Sequence, residues 1–153
     1  METLQINMTN DIIASSLEKS MSYDQYRTLV NELTENNSTT GPEKTEALAN
    51  YTALNNRRMK RWDKTVKVSD DTKATVQNSE RNLTWLVLTE SWCGDAAHIM
   101  PVINKVAEIN DNIDYRIVLR DENEALMNQF LTNGGKSIPK LIMIDKDTNK
   151  VVN

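Results

Sequence analysis

The residue in this sequence best suited to chemistry is its single cysteine, Cys93. It follows an apolar run typical of a buried strand and precedes a segment with helical spacing. Open α/β sheets place their sites where a strand's C-terminal end turns into a helix. A thiolate there is stabilised by unpaired N–H groups and the helix dipole, so we expect an accessible thiol with a lowered pKa. A small, buried, structural side chain is the equal alternative for a lone cysteine.

Three titratable residues near Cys93 bear on this expectation. Asp95 falls in the first turn of the helix, where its carboxylate complements the dipole but opposes ionisation of the thiol. Glu90 either adds to this repulsion or lies in solvent, and we favour solvent, where isolated glutamates usually lie. His98 lies about 140° around the helix from the cysteine, so we expect a surface residue rather than a base.

Composition and charge exclude several kinds of protein. The chain has 153 residues with 18 basic and 22 acidic side chains, a net charge of −4, which speaks against a nucleic-acid coat. One cysteine and one histidine exclude an internal disulfide and a cysteine-built zinc site, so no metal ligands are assigned. No export signal or membrane span is apparent. We expect a cytoplasmic protein with neither a membrane nor a nucleic-acid partner.

Strand and helix patterns alternate after about residue 80. Apolar runs predict strands over 83–89, 113–119 and 140–145, followed by a hairpin into 150–153. Helices are predicted between the strands, from Asp95 to Asn110 and from Asp121 to the Asn133-Gly134 turn. This order predicts an α/β fold with a parallel βαβ unit.

Residues 1–80 have the polar composition and spacing of helices. Ser22 and Gln25 fit a capping box for a helix to about residue 35, and Ser69 fits another cap. Pro42 is expected to open a long helix. That helix has an apolar stripe expected to be buried, made of Leu48, Tyr51, Asn55, Met59 and Trp62. It also has a basic cluster, which we interpret as a solvated face rather than an anion-binding patch and which consists of Arg57, Arg58, Lys60, Arg61 and Lys64.

Four motifs in the second half resemble those of thioredoxins, in the same order and at similar separations. They are Trp92-Cys93-Gly94-Asp95-Ala96, similar to the Trp-Cys-Gly-Pro-Cys active site; Pro101, similar to the proline within the active-site helix; Asp121-Glu122-Asn123, similar to Asp-x-Asn; and Ser137-Ile138-Pro139-Lys140-Leu141, similar to the Ile-Pro-Thr-Leu segment with its cis-proline. The resemblance covers residues 83 to 153. It identifies the chain as a member of the thioredoxin-like superfamily, similar to bacterial thioredoxins.

The resemblance implies a thioredoxin-like α/β fold, a central mixed sheet flanked by helices. The expected domains are a helical N-terminal extension, 1–80, and a thioredoxin-like core, 81–153, that ends before the usual final helix. Either the sequence is a fragment of a longer protein, or another element covers the sheet face that the missing helix leaves open. Because an uncovered sheet face would be an aggregation hazard, we favour a cover formed by the N-terminal helices or by a second subunit, in a homodimer.

The departures from the thioredoxin pattern decide the expected chemistry. Ala96 replaces the resolving cysteine, and Val87 replaces the buried acid that assists it. The resemblance therefore implies a monothiol redox protein in which Cys93 is catalytic and an outside thiol resolves the mixed disulfide. It implies no resident cofactor, with glutathione or another small thiol as co-substrate and a protein or small-molecule thiol or disulfide as partner. The implied substrate-binding residues are Trp92, Gly94, Asp95, Ile138 and Pro139.

Two further interpretations stay open at this point. In one, the chain is a non-catalytic binding module that recognises an extended peptide or a protein partner through Ile138 by strand addition. In the other, the chain resembles monothiol glutaredoxins, which hold an iron–sulfur cluster between two subunits with glutathione. The rest of the glutaredoxin motif is absent from this sequence, so we rank this interpretation last, behind the monothiol redox protein and then the binding module.

Overall fold

The computed structural model describes residues 2–152, with side chains from residue 3. Its helices are α1 (Glu2–Glu18), α2 (Tyr23–Glu35), α3 (Glu46–Thr65), α4 (Asp70–Gln77), α5 (Gly94–Ala107) and α6 (Glu124–Gln129). Its strands are β1 (Leu83–Thr89), β2 (Ile113–Leu119), β3 (Lys140–Asp145) and β4 (Lys150–Val151). A short 3-10 helix, Arg120–Glu122, joins β2 to α6. No helix in this part of the chain is long and apolar enough to cross a membrane.

The four strands form one mixed sheet in the order β2-β1-β3-β4. β1 is parallel to β2, with α5 as the crossover between them, and antiparallel to β3. β3 pairs antiparallel with β4. The α/β fold with a central mixed sheet flanked by helices is therefore confirmed. The first three strands have the predicted bounds because each is a short apolar run ended by polar or turn-forming residues.

Each face of the sheet carries its own hydrophobic cluster. One cluster lies under α2, α3 and α5 and includes Tyr26, Met59, Met100 and Ile117. The other lies under α1 and α6 and includes Ile13, Leu86, Leu126 and Ile142. Of the two coverings expected from the sequence, the structure has the first, since helices of the N-terminal half contribute to both clusters.

The N-terminal helices follow the predicted caps, with one helix unforeseen. Ser22 and Gln25 form the capping box of α2, with hydrogen bonds of 3.1 and 2.8 Å. α1 was not predicted because its apolar residues do not lie on a single face. Ile13 is buried, whereas Leu4 and Met8 are exposed. After α1, Met21 pairs with Ile117 and so protects the outer edge of β2.

Three details of the predicted helices are wrong. α3 begins after Thr45, whose hydroxyl accepts from the N–H of Leu48, and not at Pro42. Tyr51 of the expected buried stripe is 55% exposed. α6 begins after Asn123 rather than at Asp121, which lies in the 3-10 helix, and it ends at Gln129 because the chain then turns, with backbone hydrogen bonds between Thr132 and Gly135.

Candidate functional site

Cys93 lies between β1 and α5, at the N-cap position of that helix. The chain turns here because the N–H of Cys93 donates to the carbonyl of Glu90 at 3.1 Å. The cysteine Sγ lies 3.5 Å from the carbonyl oxygen of Ile138, to which the thiol donates. The sulfur therefore lies between the first turn of α5 and the loop that leads into β3.

Burial raises the pKa of the Cys93 thiol, since only 9% of the residue is exposed. Hydrogen bonds from the backbone N–H groups of Ala96 and Asp95 act in the opposite direction by stabilising the thiolate. The Asp95 carboxylate raises the pKa further, and the charge of Arg120 lowers it. The expectation of an accessible thiol with a lowered pKa is wrong, because lost hydration outweighs the favourable N-terminus of α5.

The loop before β3 forms the other wall beside the sulfur. Its Ile138–Pro139 peptide bond is cis, and both residues are half-buried. The Ile138 side chain packs against the clusters on both faces of the sheet, while its carbonyl accepts from Cys93. The structure thus brings together three of the residues assigned from sequence.

Trp92 is half-buried beside Cys93 and is covered by a cation. The guanidinium carbon of Arg120 lies 5.2 Å from the centre of the indole ring, a cation–π contact. Arg120 Nε donates to Asp121 Oδ1 at 3.1 Å, and its Nη1 donates to the carbonyl of Lys136 at 3.3 Å. A cation therefore lies over the face of Trp92, and Arg120 is a residue of the site that sequence patterns did not reveal.

Gly94 and Asp95 begin α5 next to the sulfur. Asp95 is exposed, so its carboxylate is hydrated. Gly94 is approached from α3, because a Cβ at this position would lie 3.2 Å from Nη1 of Arg58. The five residues assigned from sequence to substrate binding therefore all lie in the two segments around Cys93. Arg58, a cation from the N-terminal half, lies against one of these segments.

Glu90 is fully buried, and the expectation that it lies in solvent is wrong. Its Oε1 accepts from the hydroxyl of Thr40 at 3.0 Å, and its Oε2 has no hydrogen-bond partner among the described residues. Burial raises the pKa of this carboxyl, with a smaller increase from the nearby Asp121 carboxylate. Gly41 allows the close approach, since a Cβ there would lie 3.1 Å from Glu90 Oε1 and 3.3 Å from Asp121 Oδ2.

A buried polar network joins the loop after β1 to the N-terminal half. The Ser91 hydroxyl lies 2.8 Å from that of Thr52 and 3.2 Å from that of Thr39, and it accepts from the N–H of Thr40 at 3.0 Å. Asn55 Nδ2 donates to the carbonyl of Ser91 at 2.9 Å. These residues are almost fully buried. They fix the turn that carries Cys93. No local sequence motif predicts them, because the hydrogen-bond partners are far apart in the sequence.

His98 and the basic cluster take structural or solvated positions. His98 is exposed, and its Nδ1 accepts from the indole N–H of Trp62 at 2.9 Å. Four members of the cluster are exposed, as expected for a solvated face, whereas Arg58 is half-buried. Within residues 3–152, no group of three or more histidine, cysteine, aspartate or glutamate side chains could hold a metal ion.

The model of a family described as thioredoxin matches residues 41–153. The chain belongs to the thioredoxin family. The family match begins at Gly41, ahead of α3, so it includes part of the polar network as well as the strands.

Two solved structures resemble this thioredoxin family member. One is a Pseudomonas aeruginosa protein of unknown function, with a TM-score of 0.57 and 18% identity over 66% of this chain. This chain spans 62% of that protein's length. The other is an HIV epitope scaffold, with a TM-score of 0.58, 18% identity, and coverage of 87% of this chain and 75% of the scaffold. At 18% identity, both structures are similar to this chain in fold alone. No curated protein matches the chain.

Proposed function

We propose that this protein is a monothiol thiol–disulfide exchange protein that acts through Cys93. The observation that supports the proposal best is the position of the sulfur. Backbone N–H groups at the start of α5 stabilise its thiolate, and Ile138 lies across from it at 3.5 Å. A mixed disulfide at this place has polar backbone groups on one side and a loop able to contact the substrate on the other.

The exchange proceeds in two balanced steps. Cys93 first loses its proton to solvent, and the thiolate attacks one sulfur of a disulfide, forming a mixed disulfide and releasing the other sulfur as a thiolate. Ala96 offers no resolving thiol, so an outside thiol then attacks the mixed disulfide and releases Cys93 as a thiolate. Glutathione, or another small thiol of the cytoplasm, is the co-substrate we propose for this step.

The raised pKa of Cys93 limits the rate of this exchange at neutral pH. At neutral pH, most molecules hold the neutral thiol, so attack is slow and speeds up as pH rises. The thiolate that does form is a strong nucleophile, because intrinsic nucleophilicity rises with pKa. We therefore propose slow exchange that a bound substrate accelerates by its position beside the sulfur.

Substrate contacts come from the two segments around the sulfur. We propose that Trp92, Gly94 and Asp95 contact the substrate from the α5 side, and that Ile138 and Pro139 contact it from the β3 side. Forming a disulfide removes the S–H group, so the carbonyl of Ile138 loses the donor that it has in the thiol form. That carbonyl then becomes available to a backbone N–H of an extended peptide, the strand addition expected from the sequence.

Mixed-disulfide formation tests the proposal. The reduced protein is incubated with glutathione disulfide, and the adduct is located by mass spectrometry of proteolytic fragments. We expect one glutathione on Cys93, its removal by added reduced glutathione, and no adduct on the Cys93→Ser variant. An unmodified wild-type protein after incubation at alkaline pH would contradict the proposal.

The burial of Cys93 favours a second function, that of a non-catalytic binding module. In that case, the groove beside Ile138 binds an extended peptide while the thiol only packs inside. Immobilised wild-type protein and the Cys93→Ser variant would then retain the same proteins from a lysate under reducing and oxidising conditions. Proteins retained by the wild type alone, and released by a reductant, would instead favour exchange.

A further inference from the structure

Arg58 differs from the rest of the basic cluster on α3. Its neighbours Arg57 and Arg61 are exposed, whereas Arg58 is half-buried and reaches towards the start of α5. Its Nη1 lies 3.2 Å from the place that a Cβ on Gly94 would occupy. A guanidinium therefore lies against the residue that follows Cys93.

Hydrogen bonds hold the guanidinium in this place. Arg58 Nη1 donates to Asn55 Oδ1 at 3.0 Å, and Asn55 Nδ2 donates to the carbonyl of Ser91 at 2.9 Å. Asn55 is buried, and Ser91 belongs to the loop that carries the cysteine, so these hydrogen bonds connect Arg58 to the loop that positions the sulfur. They restrict the guanidinium, which does not rotate freely in solvent.

The charge of Arg58 lacks a carboxylate partner. None of the ion pairs among residues 3–152 includes Arg58. The other cation near the sulfur, Arg120, is already paired with Asp121 at 3.1 Å. Asp95, the exposed carboxylate of the site, forms none of these ion pairs. Arg58 is thus a fixed cation with donors left to bind an anion, and a guanidinium suits the geometry of a carboxylate.

We propose that Arg58 is a specificity-determining residue that selects thiol and disulfide substrates with a carboxylate, or a similar anionic group, close to the reactive sulfur. The proposal rests on the exchange function proposed above. While the substrate sulfur bonds to Cys93, its anionic group lies over Gly94 against the guanidinium. The lack of a Cβ at Gly94 leaves room for the guanidinium itself, since a Cβ there would lie 3.2 Å from Arg58 Nη1, and the anionic group binds the N–H donors that Asn55 does not use.

Disulfides matched in length but different in charge test this selection. The probes are 3,3′-dithiodipropionate, which is anionic, bis(2-hydroxyethyl) disulfide, which is neutral, and cystamine, which is cationic. The rate of mixed-disulfide formation at Cys93 is divided by the rate of each probe with free N-acetylcysteine amide. We expect the corrected order anionic, neutral, cationic for the wild type. Equal corrected rates would overturn the proposal.

Three variants separate Arg58 from general charge. Arg58→Gln should lower the anionic-to-neutral ratio about fivefold, the size expected for one partly exposed ion pair. Arg57→Gln removes the same charge from an exposed position and should change the ratio less than about twofold. Arg58→Lys, which keeps the charge, should retain most of the preference. Equal effects of the two glutamine variants would overturn the assignment to Arg58.

Two measurements keep the proposal testable whatever the variants do. If Arg58→Gln fails to fold, raising the salt concentration should still reduce the wild-type preference for the anionic probe, since salt screens exposed charges. If no disulfide probe reacts, the exchange function fails by itself, and alkylation by iodoacetate and iodoacetamide reports the charge preference without any exchange. A corrected alkylation ratio that Arg58→Gln leaves unchanged would overturn the selection.

Discussion

The two sides of the loop between β1 and α5 are held in different ways. On the thiol side, the S–H group of Cys93 donates one long hydrogen bond, 3.5 Å, to the carbonyl of Ile138. On the other side, Glu90 and Ser91 are surrounded by hydroxyl and amide groups at 2.8 to 3.2 Å. We therefore expect the loop to stay intact when the sulfur changes its bonding partner, because the network on the far side fixes the turn.

The N-terminal half of the chain supplies the groups that hold Glu90 and Ser91. The groups that bind Glu90 and Ser91 come from the loop before α3 and from α3 itself, namely Thr39, Thr40, Thr52 and Asn55. The helical half of the chain therefore helps to hold the cysteine turn, in addition to covering the sheet. A substitution on the thiol side should alter chemistry, and one on the network side should alter stability.

Cys93→Ala should have the largest effect on chemistry. Mixed-disulfide formation with glutathione disulfide should disappear, because no other residue of the chain carries a thiol. Its free energy of unfolding should fall by only about 1 kcal/mol, as expected for the loss of one small buried group. Mass spectrometry and urea unfolding check the two parts. A Cys93→Ala protein that does not fold would contradict the contrast between the two sides.

Ser91→Ala should affect stability more than chemistry. It removes the hydroxyl shared by three threonines and leaves buried groups without partners, so the free energy of unfolding should fall by about 2 kcal/mol. The matched control is Ser15→Ala, at an exposed serine of α1, which should change stability by less than about 0.5 kcal/mol. Equal stabilities of these two variants in urea would show that the network does not hold the loop.

Glu90→Gln should change how stability depends on pH. The pKa of Glu90 is raised in the folded protein above its ordinary value of 4.5. The folded state therefore favours the protonated form, and wild-type stability should fall as pH rises from 4.5 through the folded-state pKa. Glutamine cannot ionise, so the variant should gain on the wild type over this range and lose the slope.

Urea unfolding at a series of pH values measures this gain. Glu43→Gln, at an exposed glutamate in the loop before α3, is the matched control and should keep the wild-type slope. A Glu90→Gln protein that is less stable than the wild type at both ends of the range would mean that the ionised carboxylate contributes to the network.

Asp95→Asn should produce the smallest effect, on the thiol side. Its carboxylate raises the pKa of Cys93, so its removal should lower that pKa and speed exchange about twofold at fixed pH and low salt. Asp111→Asn, at an exposed position after the far end of α5, makes the same charge change away from the sulfur and should leave the rate unchanged. A slower Asp95→Asn protein would contradict the assigned repulsion.

The sequence allowed prediction of those parts of the fold that depend on neighbouring residues. β1 to β3 were readable from apolar runs, and the capping box of α2 from Ser22 and Gln25. The start of α3 was misjudged because Pro42 and Thr45 both suit a helix start, and the hydroxyl of Thr45 decides between them. Nothing in the spacing of α1 identified it, since apolar side chains face both the sheet and the solvent.

The candidate site was predictable only along one segment. The motif around Cys93 and the Ile138–Pro139 loop identified which residues would meet. Burial could not be predicted from the motif. The predicted direction of the Cys93 pKa shift and the predicted exposure of Glu90 were therefore both wrong. Desolvation depends on helices from the other half of the chain, and the partners of Glu90 and Ser91 lie about 40 to 50 residues away along the chain.

We propose that Cys93 exchanges with disulfides in spite of its raised pKa. The rate of mixed-disulfide formation with bis(2-hydroxyethyl) disulfide, measured across a series of pH values, tests this proposal. We expect a single adduct on Cys93, with a rate that is still rising above pH 9.0, the ordinary pKa of a cysteine thiol. A rate that reaches its plateau near neutral pH, or no adduct at any pH, would contradict the account.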